Sequence, residues 1–403
     1  MTNEYRPLFN RNYITGLMWF SLIAILILSS MGPGSVEYHE VETNKSKNIY
    51  WMELDDQPMQ LVLLLQTPPA LNTQRQQLQQ LKSQVLQQRL RSLASTSYSF
   101  NVTPRQDRIE IAIQWASDQE LPDLKTIWQI LSAPVETSRW EDTLKNIQAR
   151  HYLDAQSEEQ QLINRFYHQL QPNDPSSPLS KLERAYADLF TMPSIAISGE
   201  DAEDYAEMVE ELFAKDIATH QSPNIDNAVQ LEIAKQPIQR EVSNNQDFHI
   251  LMGQAISERN SERFITERIT AQVLQDVLAE YKYQHQLDFR ILWSALKTTG
   301  YQALILKGRH NPEPILPQLQ QRITDEVIEQ SQNRLAATWE ERMREDDNQI
   351  QALNLIAFYQ LPTDTMEEYI DMILDQDPDE VIQTVKQTMQ ITQPISILKA
   401  PQR

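Results

Sequence analysis

Two kinds of hydrophobic pattern alternate along this chain. The run Leu61-Val62-Leu63-Leu64-Leu65 is short and continuous, which predicts a strand. A Gln-rich stretch from about Ala70 to Leu93 reads instead as a long amphipathic helix. Tyr98–Thr103 and Arg108–Trp115 read as a hairpin, joined by the turn Pro104-Arg105-Gln106-Asp107. Asp118 to Leu124 opens a further helix, and a long polar helix starts near Ser138. Period two buries Leu61, Leu63 and Leu65 on one side of the first strand, and Ile109, Ile111 and Ile113 on one side of another.

After a Pro-rich loop over 172–178 comes a short helix, Leu179 to about Leu189. Ser194 to Glu200 reads as a strand ending at a glycine. It leads into a helix from about Asp201 to Ala214, with acidic residues in the first turn, where the helix dipole favours them. Pro223, Pro237 and many polar residues mark 217–245 as a linker. Then the succession restarts. Phe248 to Ile256 is strand-like, and Glu262 to Tyr283 is helical, with Phe264, Ile265, Ile269, Val273, Val277 and Leu278 on one face. Two strand-like runs follow, Phe289–Leu296 and Tyr301–Lys307, then a loop and helix over 312–332. Acidic helices fill most of 334–389, interrupted at Leu361–Asp364, where Thr363 or Asp364 caps the next helix. The pattern is an internal duplication of elements, not of identities. It predicts an α+β protein of two αβ halves, 48–216 and 246–403, each a mixed sheet with helices on one face.

Ahead of these halves lies an uncharged apolar run, Ile14 to Ser30. Its 17 residues sit at the short end of the roughly 17–25 that span a bilayer. Arg6 and Arg11 precede it; no Lys or Arg follows until Lys45, while Glu37, Glu40 and Glu42 do. The positive-inside rule then leaves the first residues in the cytoplasm and carries the rest across the membrane. The expected organisation is a cytoplasmic tip and transmembrane helix over 1–34, a polar linker over 35–47, then the two halves. Cleavage of the run as a signal peptide, giving a secreted protein, is the alternative.

Composition narrows the chemistry. A net charge of −21 argues against nucleic acid as a partner, since phosphate binding needs a basic surface. With no cysteine there is no disulfide and no Cys-based zinc site. Hydrophobic content of 40% suits a folded protein, and 7 glycines leave little for Gly-rich loops. No Gly-x-Ser-x-Gly elbow, Gly-x-Gly-x-x-Gly run or Walker loop occurs. Acidic pairs such as Asp55-Asp56, Asp346-Asp347 and Glu367-Glu368 have the look of solvated faces.

The order strand, helix, hairpin, helix, helix over Leu61–Gln161 resembles the first half of an M16 peptidase domain, the insulinase and mitochondrial-processing-peptidase family. The strand-Gly-acidic-helix element at Ser194–Ala214 resembles that family as well, and Phe248–Ile256 resembles the opening strand of its C-terminal domain. The resemblance covers about 48–390. It implies an H-x-x-E-H zinc motif on the first helix. Here that helix reads Gln76-Gln77-Leu78-Gln79-Gln80-Leu81-Lys82-Ser83-Gln84-Val85, with no histidine and no glutamate. No two of the seven histidines stand four apart; the nearest pair, His151 and His168, is 17 positions apart. Glu141, near the family's third-ligand region, reads as an exposed first-turn carboxylate. The expectation is therefore no metal, no cofactor and no peptidase activity.

In active members the second half supplies a Tyr and an Arg that grip the substrate backbone. Tyr301, after Thr298-Thr299-Gly300, resembles the Tyr position. Arg290 is the nearest Arg, in a spacing that does not match. The resemblance thus makes Tyr301 and Arg290 candidate substrate or partner contacts. Ordinary structural roles remain open for both. The implied function is an inner-membrane, periplasm-facing pseudo-peptidase paired with an active M16 zinc peptidase. The alternative is a non-enzymatic envelope scaffold or adaptor for a membrane or secretion complex.

Overall fold

A computed structural model describes residues 36–402 except 56, 94–97, 117–118, 120–121, 192, 214–237, 244 and 391–392. The apolar run Ile14–Ser30 lies outside the described residues. Among the described residues no helix is long and apolar enough to cross a membrane. All elements named below belong to one unit that begins at His39.

The first half contains β1 (Glu42–Thr43), β2 (Ile49–Glu53), β3 (Met59–Gln66), α1 (Thr73–Arg91), β4 (Ser99–Pro104), β5 (Arg108–Trp115), α2 (Leu124–Ser132), α3 (Glu141–Asp154), α4 (Glu158–Leu170), α5 (Pro178–Ala187), β6 (Ser194–Gly199) and α6 (Ala202–Leu212). The second contains β7 (Gln239–Ser243), β8 (Phe248–Ile256), α7 (Phe264–His285), β9 (Leu287–Ala295), β10 (Gly300–Gly308), α8 (Leu316–Gln321), α9 (Asp325–Met343), α10 (Asp346–Tyr359), α11 (Thr365–Leu374), α12 (Pro378–Thr388) and β11 (Ile395–Pro401). Local chemistry sets several starts. The Asn72 side chain accepts from Arg75 N at 2.9 Å and caps α1. Ser157 caps α4 in the same way, and Ser177 caps α5 with Pro178 in the first turn. Helix α11 does begin after Asp364, but that side chain makes no capping bond.

The sheets show the duplication directly. The first runs β1-β2-β6-β3-β5-β4 and the second β7-β11-β8-β10-β9. Setting β1 aside, the two orders are the same. The parallel pair falls at the same place in each, β2 with β6 and β7 with β11, and every other pairing is antiparallel. Strands β1 and β7 fall in the segments read as linkers, 35–47 and 217–245. Strand β11 lies beyond the last element read from the sequence.

Burial differs from period two in an informative way. Leu61, Leu63 and Leu65 are buried as expected, with Ile109, Ile111 and Ile113. Val62 and Leu64 are buried too. A continuous apolar run marks a strand covered on both faces. One face of each sheet packs on its own half's helices. For the first sheet these include α1, α2, α5 and α6, through Leu81, Leu131, Leu182 and Val209. For the second they include α7, α9, α11 and α12, against Ile250, Met252, Leu304 and Leu306. The other face is covered by a helix from the opposite half. Helix α4 puts Leu162, Ile163, Phe166 and Tyr167 against Leu251, Ala303 and Ile305 of the second sheet. Helix α10 lies against β2, β3 and β6 of the first. Among the described helices, each is the fourth of its half. The expected helices on one face thus become helices on both, because the halves exchange one helix each. At about 1.5–3 kcal/mol per fully buried large apolar side chain, the exchanged helices bind the halves into one folding unit.

Candidate functional site

Helix α1 borders a crevice of about 470 Å³ where the halves meet. Gln76, Gln79 and Gln80 line one wall; the β4–β5 turn, Ser294, Leu296 and Tyr359 line the rest. This is the helix that the M16 resemblance assigns to zinc. Two of its three lining glutamines are committed elsewhere. Gln79 is 4% exposed. Its Nε2 donates towards Thr67 Oγ1 at 3.0 Å, Arg108 O at 3.0 Å and Arg105 O at 3.2 Å. Gln76 Nε2 donates to Leu71 O at 2.7 Å. These amides fasten the helix to the end of β3 and to the hairpin turn. Lys82 of the same helix is buried, and burial pushes its pKa down to about 7, opposed by Asp188.

Zinc does not fit this set. A catalytic zinc needs three imidazole or carboxylate ligands and an open position, whereas an amide offers only a weakly donating carbonyl. Among the described residues no group of three or more His, Asp or Glu could hold a metal ion. Glu141 stands exposed in the first turn of α3. His39 lies 3.4 Å from Asp346, and buried His249 lies 3.5 Å from Glu158. The acidic pairs Asp346-Asp347 and Glu367-Glu368 occupy the first turns of α10 and α11, where they complement the helix dipoles.

The polar centre of the crevice is one that sequence reading did not single out. Asp107, 2% exposed, ends the β4–β5 turn and reaches across to the second half. Its carboxylate accepts from Tyr359 Oη at 3.1 Å, from the Lys297 backbone N–H at 3.1 Å and from Arg108 at 3.1 Å. Arg108 also pairs with Glu110 at 2.8 Å and lies over the Phe358 ring at 4.8 Å. Burial works against the Arg108 charge, but Tyr359, Asp107 and Glu110 outweigh it and hold the pKa above the ordinary arginine value. Burial, then Asp107, pushes the Tyr359 phenol well up, so it stays a donor. Lys297 is pushed down by burial, with Asp107 opposing; its Nζ donates to Phe358 O at 2.8 Å. Lys297 belongs to the β9–β10 turn, the second half's counterpart of the turn carrying Asp107. The two hairpin turns therefore meet in one satisfied network. In sequence, Gln106-Asp107-Arg108 has the composition of a solvated turn, and nothing local signals that it is buried.

The structure places Tyr301 and Arg290 against α4, one near each end. Tyr301 is 5% exposed; its hydroxyl bonds Gln106 Nε2 at 2.7 Å and Tyr167 Oη at 3.1 Å. Its ring meets Tyr167 edge-on, with centroids 5.1 Å apart. Arg290 is exposed and pairs with Glu159 at 3.0 Å. Arg290 stands opposite Ile305 on β10. The two residues are therefore about 13 Å apart along the sheet at roughly 3.3 Å per residue, and they do not converge on one point.

A duplicated α+β chain, with paired sheets that exchange a helix and a first helix bordering the crevice between them, has the M16-peptidase-like fold. No protein-family model matches the sequence, and no curated protein matches it. Solved structures do. A peptidase M16 inactive domain from Pseudomonas fluorescens superposes with a TM-score of 0.70 at 12% identity, covering 91% of this chain and 98% of that one. The periplasmic protease PqqL from Escherichia coli gives 0.64 at 11% identity, covering 91% of this chain and 47% of that one. A protease from Helicobacter pylori gives 0.63 at 12%, covering 91% and 100%. At such identities the likeness is one of fold.

Proposed function

We propose that this chain is a catalytically inactive M16-like subunit that pairs with an active M16 zinc peptidase and forms the opposite wall of its substrate chamber. One observation carries the reading: where the family's first helix presents zinc ligands, α1 presents Gln76, Gln79 and Gln80, two of them already spent on fastening the helix. The fold survives without the chemistry. The Pseudomonas fluorescens neighbour is itself an inactive M16 domain, and the Escherichia coli neighbour a periplasmic protease, which supports a periplasmic setting. Ile14–Ser30 would anchor the chain in the inner membrane, with the arginines before it held in the cytoplasm. Tyr301 and Arg290 would then act through α4, setting how the two halves present their shared surface.

Capture of the tagged full-length chain from mild detergent extract tests the pairing. We expect a protein bearing an intact H-x-x-E-H motif to co-purify, and chelator-sensitive peptidase activity to come with it. Recovery of envelope proteins that all lack the motif would favour the scaffold reading and overturn this one.

A further inference from the structure

A second cavity, of about 340 Å³, lies wholly in the second half, between the segment leading into α7 and helices α9, α10 and α11. Its walls are largely apolar, with Phe264, Ile265, Trp339, Leu355, Met366 and Tyr369. Arg259 also lines it, and this cation is anomalous. Its guanidinium lies 4.4 Å over the Phe264 ring and 5.4 Å from the Tyr359 ring. Among the described residues it has no hydrogen-bond acceptor and no ion pair, and its Nε is buried without a partner. Burial pushes its pKa down. The groups that act on it besides are Tyr359, Tyr369, Arg108 and Arg268, with no carboxylate among them. Glu262 lines the same cavity but is exposed and does not pair with it. Arg108 and Lys297 described above each have an oxygen partner. The Arg259 side chain as a whole is half-buried, but its Nε is sealed from solvent without an acceptor, which is costly, and the fold keeps the group beside an apolar chamber.

We infer that this cavity is a binding site for a small monocarboxylate with an aromatic or aliphatic body. Its carboxylate would form the forked pair that the Arg259 guanidinium lacks, and its body would fill the space between Trp339, Met366 and Tyr369. The volume is at the lower end of ligand pockets, and at roughly 30 Å³ per water-sized group it suits about ten non-hydrogen atoms. The site does not depend on pairing with a peptidase, and it is separate from the crevice bordered by α1.

Calorimetric titration of the full-length chain with 3-phenylpropionate, octanoate and 3-phenylpropionamide tests it. The acids should bind at least about tenfold more tightly than the amide, as a charge-assisted pair requires. Arg259→Gln should bring acid and amide to within about twofold of each other. Should that variant fold poorly, Met372→Trp serves independently. Met372 lines the cavity at 40% exposure, so a larger side chain is tolerated there and blocks entry, and the acids should lose at least about tenfold in affinity. Equal affinity for acid and amide, no acid binding at millimolar concentration, or an acid preference that survives Arg259→Gln would overturn the inference. So would binding of a peptide with a free C-terminal phenylalanine when none of the small acids bind.

Discussion

Replacing Asp107 by Ala lowers the unfolding free energy by about 3 kcal/mol, read from urea midpoints at constant m. The carboxylate is 2% exposed and joins three donors from both halves: Tyr359 Oη, the Lys297 N–H and Arg108. Its removal leaves buried donors without an acceptor and a buried guanidinium short of one partner. Glu110 still holds Arg108, which keeps the loss at the low end of the roughly 3–5 kcal/mol for a broken buried pair. Asp107→Asn keeps an acceptor for Tyr359 and Lys297 but loses the charge, so it should cost only about 1–2 kcal/mol. Equal losses for the two variants would mean that shape rather than hydrogen bonding holds the two turns together.

Phe166→Ala costs about 3–5 kcal/mol, the range for emptying a buried aromatic site. Phe166 is fully buried, in the cluster through which α4 meets β8. Gly253 on β8 makes that approach. A Cβ there would stand 2.5 Å from Phe166 Cε2, 2.8 Å from Ala303 Cβ and 3.0 Å from Gln302 O. Gly253→Ala alone should therefore cost about 1–3 kcal/mol through overpacking. Combined with Phe166→Leu, which removes the nearest atom, part of that cost should return as a coupling of about 0.5–3 kcal/mol. Strict additivity would show that Ala303 and Gln302, not Phe166, set the cost of a side chain at Gly253. Hydrogen exchange supplies the spatial readout: in Phe166→Ala the amides of α4 should lose protection before those of β3 and β5.

How much of this was legible follows from where the information lies. Continuous runs such as Leu61–Leu65 and the face Phe264–Leu278 of α7 carry their structure locally, and they gave the duplicated halves. Strands β2, β7 and β11 did not stand out. Strands β2 and β7 have only five residues each, and β11 carries Lys399 and ends in Pro401, which blurs it into loop. The exchange of α4 and α10 was invisible because an apolar helix face does not say which sheet it covers. The buried Val62 and Leu64 were its trace, since a strand covered on one face alone would alternate. The missing zinc motif was plain in the sequence. The network at Asp107 and the unpartnered Arg259 Nε were not, because a charged residue in a turn is solvated by default and only tertiary contact covers it.

On the proposed reading, α1 keeps its place in an M16-like fold while glutamines stand where the family has a metal site. Metal analysis of the purified full-length chain, with thermal unfolding before and after a strong chelator, decides between this and a resident metal. Binding free energy of a resident metal would be coupled to folding. We expect no stoichiometric zinc and an unchanged unfolding midpoint. One tightly held zinc per chain, with a midpoint that falls on chelation, would mean that α1 or its neighbours still hold a metal.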